Sequence, residues 1–170
     1  MPTETTAPTA EPRRYTTEFT TPSDREVVAR RTFDAPRQLV WDAHTRPEHV
    51  RRWLLGPDGW SMPVCEIDLR PGGAWRYVWR SDADGSEFFM HGTYREIVPT
   101  ERIVHTEFFG AMPEPAVLTS TFEEVGGRTL LTVTVVYPSK EVRDAALATG
   151  MTRGWGRSYE RLDGYLGEAA

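Results

Sequence analysis

The chain carries one cysteine, Cys65, and one lysine, Lys140. A lone thiol excludes an intramolecular disulfide and suits a reducing cytoplasm. No apolar run approaches the roughly 20 residues needed to span a bilayer, and no basic amphipathic segment marks a membrane surface. The opening "MPTETTAPTAEPRRYTTEFTTPSD" lacks the apolar stretch of a signal peptide. Its Thr/Pro/Glu-rich composition predicts a disordered tail over residues 1–24. With a net charge of −5 and no basic stripe, nucleic acid is not an expected partner. Known catalytic motifs are missing too. There is no P-loop, no G-x-S-x-G and no Ser/His/Asp arrangement. "GWGRSY" from Gly154 lacks the preceding strand and last glycine of a dinucleotide fingerprint. His44 and His49 stand five apart with Pro47 between them, unlike the HExxH spacing. Neither a metal site nor a cofactor is expected. The preference for arginine over lysine reads as the signature of a GC-rich bacterial genome.

What remains at 170 residues is enough for one domain with a real core, over residues 25–170. Val27, Ala29, Arg31 and Phe33 share one parity, as in a half-buried strand. Asp34 is placed to cap a helix, Pro36 suits its first turn, and Pro47 opens a second short helix. From Met62 the period becomes two. Strands are predicted at 63–69, 74–81, 88–98, 103–109, 116–125 and 129–137. Turn chemistry separates them at "RPGG", "DADG", "PTE", "GAMPEP" and "GG". Such short links mean an antiparallel meander. After Pro138 the period turns helical, with Ser139 as cap. Met151, Trp155, Tyr159, Leu162 and Leu166 form one apolar stripe, beside small residues at Gly150, Gly154 and Ser158. The expected architecture is α+β: a curved antiparallel sheet of about seven strands around one long C-terminal helix. Two short helices follow the first strand.

Several stretches then carry a resemblance: "RTFDAPRQLVWDAHTRPEHVRRWLLGPDGW", "CEIDLRPGGAWRYVWR", "GTYREIVPTERIVHTEF", "TFEE" and "RDAALATGMTRGWGRSYERLDGYL". Together, over about Arg25 to Leu166, they resemble the family related to the C-terminal domain of the heat-shock-protein-90 ATPase activator. That family lies within the START-like, or SRPBCC, superfamily. The resemblance implies a helix-grip fold whose long helix closes a deep hydrophobic cavity, and relatives that are often dimers, so a homodimer is an open expectation. It does not fix an activity, because relatives include lipid carriers, polyketide cyclases and resistance proteins. The namesake joins this domain to a separate N-terminal one, which weighs against ATPase activation here.

The candidate site residues follow from parity. Trp75, Tyr77 and Trp79 alternate on one face of a strand; with Trp155 they are offered as walls of a cavity holding a hydrophobic small molecule. Met151 and Tyr159 face it from the helix. Arg31, on an inward parity, needs a partner, for which Glu66, Asp68 and Glu107 are available, or serves to anchor a ligand carboxylate or phenolate. His105 and His91 can face the trough, and either beside Glu107 makes an acid–base pair for a cyclase, dehydratase or hydrolase. A binder of a lipid, polyketide-like or flavonoid-like molecule is the leading expectation, with such an enzyme second. A chaperone-interacting module is third, because Arg76, Arg80, Thr132 and Thr134 predict a polar convex face.

Overall fold

The structure, a computed structural model, describes residues 15–110 and 112–169. Eight strands form one antiparallel sheet: β1 Glu18–Thr20, β2 Glu26–Phe33, β3 Trp60–Ile67, β4 Ala74–Ser81, β5 Glu87–Val98, β6 Arg102–Phe109, β7 Ala116–Val125 and β8 Arg128–Val136. Their spatial order is β1-β2-β8-β7-β6-β5-β4-β3. The meander is therefore continuous from β3 to β8, and β2 closes against β8 with Val27 opposite Val135 and Phe33 opposite Thr129.

Two short helices, α1 Arg37–Thr45 and α2 Pro47–Trp53, fill the connection between β2 and β3. The first packs on β7 and β8, and the second on β3. They plug one end of the trough. A pair of helices follows β8: α3 Lys140–Ala148 and α4 Met151–Ala169. The Ser139 side chain caps α3 by accepting from the Val142 N–H, as anticipated. The helix predicted as one rod is broken at Gly150, whose φ of +79° is a left-handed turn that glycine adopts without strain.

Two other differences have local causes. Glu18–Thr20, within the stretch expected to be a tail, pairs with β2 through Phe19 opposite Ala29, and the Phe19 ring packs edge-on against Trp155. That makes eight strands where seven were expected. Residues 1–14 of the same stretch lie outside the described residues, as does Ala111 in the "GAMPEP" turn. Asp34 does not cap α1: the Ncap is Pro36, with no side-chain cap, and Asp34 faces Arg128 at 3.6 Å.

Alternation on the strands decides the core. Val27, Ala29 and Phe33 of β2, Phe122 of β7 and Leu131, Val133 and Val135 of β8 are buried together with Tyr159, Leu162 and Leu166 of α4. The small-residue stripe of α4 packs on the loop after α2 rather than on the sheet. A Cβ at Gly154 would stand 3.3 Å from the Pro57 ring, and the Ser158 hydroxyl accepts from the Gly56 N–H at 2.8 Å.

Candidate functional site

The pairing of β4 with β5 brings Trp75 opposite Gly92, Tyr77 opposite Met90, and Trp79 opposite Phe88. All six project to the inner face, as strand parity dictates. The two tryptophans are framework. Trp79 stacks on Phe88 at 4.8 Å and donates its indole N–H to the Leu54 carbonyl at 2.7 Å. Trp75 reaches across β5 to donate to the Thr106 carbonyl on β6 at 3.1 Å. The indole needs the room left by Gly92, where a Cβ would come within 2.8 Å of the Trp75 ring nitrogen. Only 3% and 5% of Trp75 and Trp79 stays exposed. The aromatic wall inferred from alternation is thus a locked layer at its two ends, with Tyr77 between them still half-buried.

Around Tyr77 the inner face turns polar. Its hydroxyl lies close to that of Tyr94, which pairs with His105 across the β5–β6 ladder. Glu107 lies two residues further along β6, opposite Ala116 of β7. It is close enough to Tyr77 and Tyr137 to raise the pKa of both hydroxyls through its charge. These groups sit deep in the molecule, and burial shifts them strongly. The Glu107 carboxyl is pushed up to about 7 and the His105 imidazole down to about 4. Both are neutral-favouring shifts from desolvation. His105 and Glu107 nevertheless keep surface that water can reach. The His105 ring packs edge-on to Trp75 at 5.4 Å, and its Nδ1 is sealed without a hydrogen-bond partner.

Helix α4 roofs this region unevenly. Tyr137, just after β8, donates its hydroxyl to the Met151 Sδ at 3.3 Å, placing the first turn of α4 over the Glu107 end of the sheet. Trp155 packs edge-on against the Tyr159 ring at 6.1 Å. Met151 and Trp155 remain half-buried, whereas Tyr159 is packed among Phe33, His44 and Trp53.

The other sequence candidates fall elsewhere. Arg31 is inward and buried, as its parity predicts, but its partner is Asp163 of α4 at 3.7 Å rather than Glu66, Asp68 or Glu107. Its guanidinium also lies over the Phe33 ring. Burial lowers its pKa, and the charge of Asp163 opposes that shift. His91 takes the opposite face from His105: paired with Arg76, it stacks on Phe108 at 5.1 Å and on Phe89 at 6.1 Å. It cannot join Glu107 in an acid–base pair. The convex face is accordingly less polar than predicted, with Phe89 43% exposed beside a shallow depression of about 390 Å³ lined by Arg76, His91, Thr93 and Phe108. His44 donates its Nδ1–H to the Val40 carbonyl at 2.7 Å, and His49 bonds the Tyr165 hydroxyl. No metal-binding group of His, Cys, Asp or Glu occurs among the described residues. None of their helices is long and apolar enough to cross a membrane.

The family model described as "Activator of Hsp90 ATPase homolog 1-like protein" matches residues 34–167. The chain belongs to this family. Solved structures agree on the fold of the activator-homologue family. A protein from Rhodobacter sphaeroides is 28% identical with a TM-score of 0.84, covering 90% of this chain and 99% of its own. One from Nitrosomonas europaea is 25% identical with a TM-score of 0.78, covering 88% and 98%. At 17% identity, an AHSA1-like protein from Aeromonas hydrophila shows the same fold with a TM-score of 0.64, covering 79% and 92%. No curated protein matches. The helix-grip architecture expected from the resemblance is therefore the fold of this chain.

In this member of the activator-homologue family, sequence reasoning missed Met90, opposite Tyr77, and Tyr137, close to Glu107, as neighbours of the polar inner face. The alternation of β5 and β8 carried the signal. Met90 shares parity with Gly92, and Tyr137 continues Leu131, Val133 and Val135.

Proposed function

We propose that this protein holds a small apolar or aromatic molecule, of lipid, polyketide-like or flavonoid-like type, in the hollow between its sheet and C-terminal helix. The supporting observation is the convergence of six side chains from five elements: Tyr77 of β4, Met90 of β5, His105 and Glu107 of β6, Tyr137 after β8 and Met151 of α4. Five of these six are half-buried although they face inward. A guest burying about 200 Å² of apolar surface there gains roughly 5 kcal/mol from transfer alone. The fold family often binds small ligands, which agrees with this reading. The lone cysteine, buried and with its thiol pushed up to about 11 by desolvation, suits a reducing bacterial cytoplasm.

The test is a screen of lipids, flavonoids and polyketide-like aromatics against the full chain, read by tryptophan emission and native mass spectrometry. A guest that changes emission, and loses affinity at least tenfold when Met90 is enlarged to Trp, supports the reading. Unchanged emission and mass with every class sinks it.

One observation favours an enzymatic reading as the alternative. A carboxyl titrating near 7 is matched to general acid–base work at neutral pH. Glu107 would be the proton carrier of a cyclase, dehydratase or hydrolase, and His105, neutral down to about 4, would accept a hydrogen bond rather than supply a proton. Turnover that falls at least a hundredfold in Glu107→Gln while binding persists would separate enzyme from carrier.

A further inference from the structure

The field inside the hollow has a sign. Glu107 projects inward from β6, and burial alone accounts for its perturbation; among the described residues no cation and no hydrogen-bond donor is assigned to its carboxyl. The groups facing it from each neighbouring element are known. Tyr77 on β4 and Tyr137 after β8 are near enough to feel its charge, yet neither hydroxyl donates to it: Tyr137 gives its proton to Met151, and Tyr77 lies beside Tyr94. His105, on the same strand, is neutral near pH 7, and β7 contributes Ala116. The one buried guanidinium among the described residues, Arg31, is engaged with Asp163 and draws its charge interactions from Asp163, Glu160 and Tyr159 rather than from Glu107. What converges on the hollow is oxygen lone pairs, a thioether and aromatic rings. All present negative potential to a guest.

We propose that the hollow selects guests with an apolar aromatic body and a basic amine, the ammonium seated at Glu107 beside the Tyr77 and Tyr137 hydroxyls, and rejects carboxylates and phosphates. This rests on the binding function proposed above and names its ligand class. An isolated carboxyl in a greasy wall is costly without a partner; an ammonium supplies both the opposite charge and the donors that the protein withholds. An anionic head would meet Glu107 with no compensating charge. Fatty acids and acidic phospholipids are excluded on this ground, although their tails would fit an apolar wall.

The experiment compares three probes with one aromatic body: 2-naphthylmethylamine, 2-naphthylmethanol and 2-naphthoic acid, titrated calorimetrically against the full chain at pH 7.5. The amine is expected to bind at least tenfold more tightly than the alcohol, and the acid at least tenfold more weakly. In Glu107→Gln the preference for the amine over the alcohol falls below threefold. Acid binding equal to or tighter than alcohol in the wild-type protein overturns the proposal, whether or not the variant folds. An amine preference that survives in folded Glu107→Gln overturns it as well. Those two outcomes leave the binding function standing, whereas failure of all three probes, together with the silent screen described above, removes that function and this inference with it.

Discussion

The two halves of the inner sheet face are built on different terms. Under α1 and the C-terminal part of α4, the β2–β8–β7 half is filled: Phe33, Phe122, Leu131 and Leu162 are sealed from solvent and interlock through edge-on rings such as Trp41 with Phe122 at 5.3 Å. The β4–β5–β6 half lies beyond the part of α4 that packs closely. Tyr77, Met90, His105 and Glu107 keep reachable surface there, and three of the four are polar or ionisable. The same helix serves both halves. Its stripe runs from half-buried Met151 and Trp155 to buried Tyr159, Leu162 and Leu166. Both halves share one core, to which the second gives Trp75, Tyr94 and Ile103, but only the second leaves inward polar groups within reach of water.

Substitutions on either side put this contrast to the test. The largest effect is expected from Phe122→Ala, which should cost about 3–5 kcal/mol in urea denaturation, while Met90→Ala on the open half should cost about 1 kcal/mol. Equal costs would mean that the halves are equally packed. Gly92→Ala should follow at about 3 kcal/mol, because its Cβ would meet the Thr106 carbonyl oxygen at 1.9 Å and force strain into the wall. A loss below about 0.5 kcal/mol would show that wall to be pliant.

The effect of Glu107→Gln on stability should appear only at high pH. The folded pKa of Glu107, about 7, lies above its ordinary 4.5. Its contribution is fully present below 4.5 and is lost as pH rises through 7. The variant should thus gain roughly 3 kcal/mol over wild type at pH 8 and nothing below pH 4.5. His44 and His105 act the other way. Both are held near 4 against 6.5 by burial, so their contribution is present above 6.5 and lost as pH falls through 4. With Glu107 removed, stability should decline steadily from pH 6.5 to 4; a flat profile would place both rings in water. A smaller effect, about 1–2 kcal/mol, is expected for Trp75→Phe, which deletes one buried hydrogen bond and the five-membered part of the indole. A loss near that of Phe122→Ala would show that the Thr106 carbonyl finds no substitute donor.

Much of this arrangement was legible in the residue pattern, and the exceptions have physical causes. Period-two alternation with glycine turns located β3 to β8 within three residues, because each strand has one buried face. Parity also placed Arg31 inward, but the choice of Asp163 as its partner depends on how α4 crosses β2, which no local pattern encodes. β1 is three residues of Thr-rich chain stabilised by Phe19 against Trp155, a tertiary contact. The opposite orientations of His91 and His105 follow from the β5–β6 pairing, which was not used to separate them. Gly150 was visible as a small residue in a helical run, yet only its left-handed backbone shows that the helix ends and restarts there. For the site, aromatic alternation pointed to the right strand and overvalued its tryptophans, since whether an indole is locked depends on the carbonyl its N–H finds.

That locking governs how the loosely filled side keeps its shape. The Trp75 indole spans β5 and fastens β4 to β6 through the Thr106 carbonyl, where the Thr93 N–H turns instead to the Thr106 hydroxyl. It acts as a rivet driven across three staves. A wall that its neighbours do not fill from behind needs such a tie, and this one fixes the spacing of β4, β5 and β6.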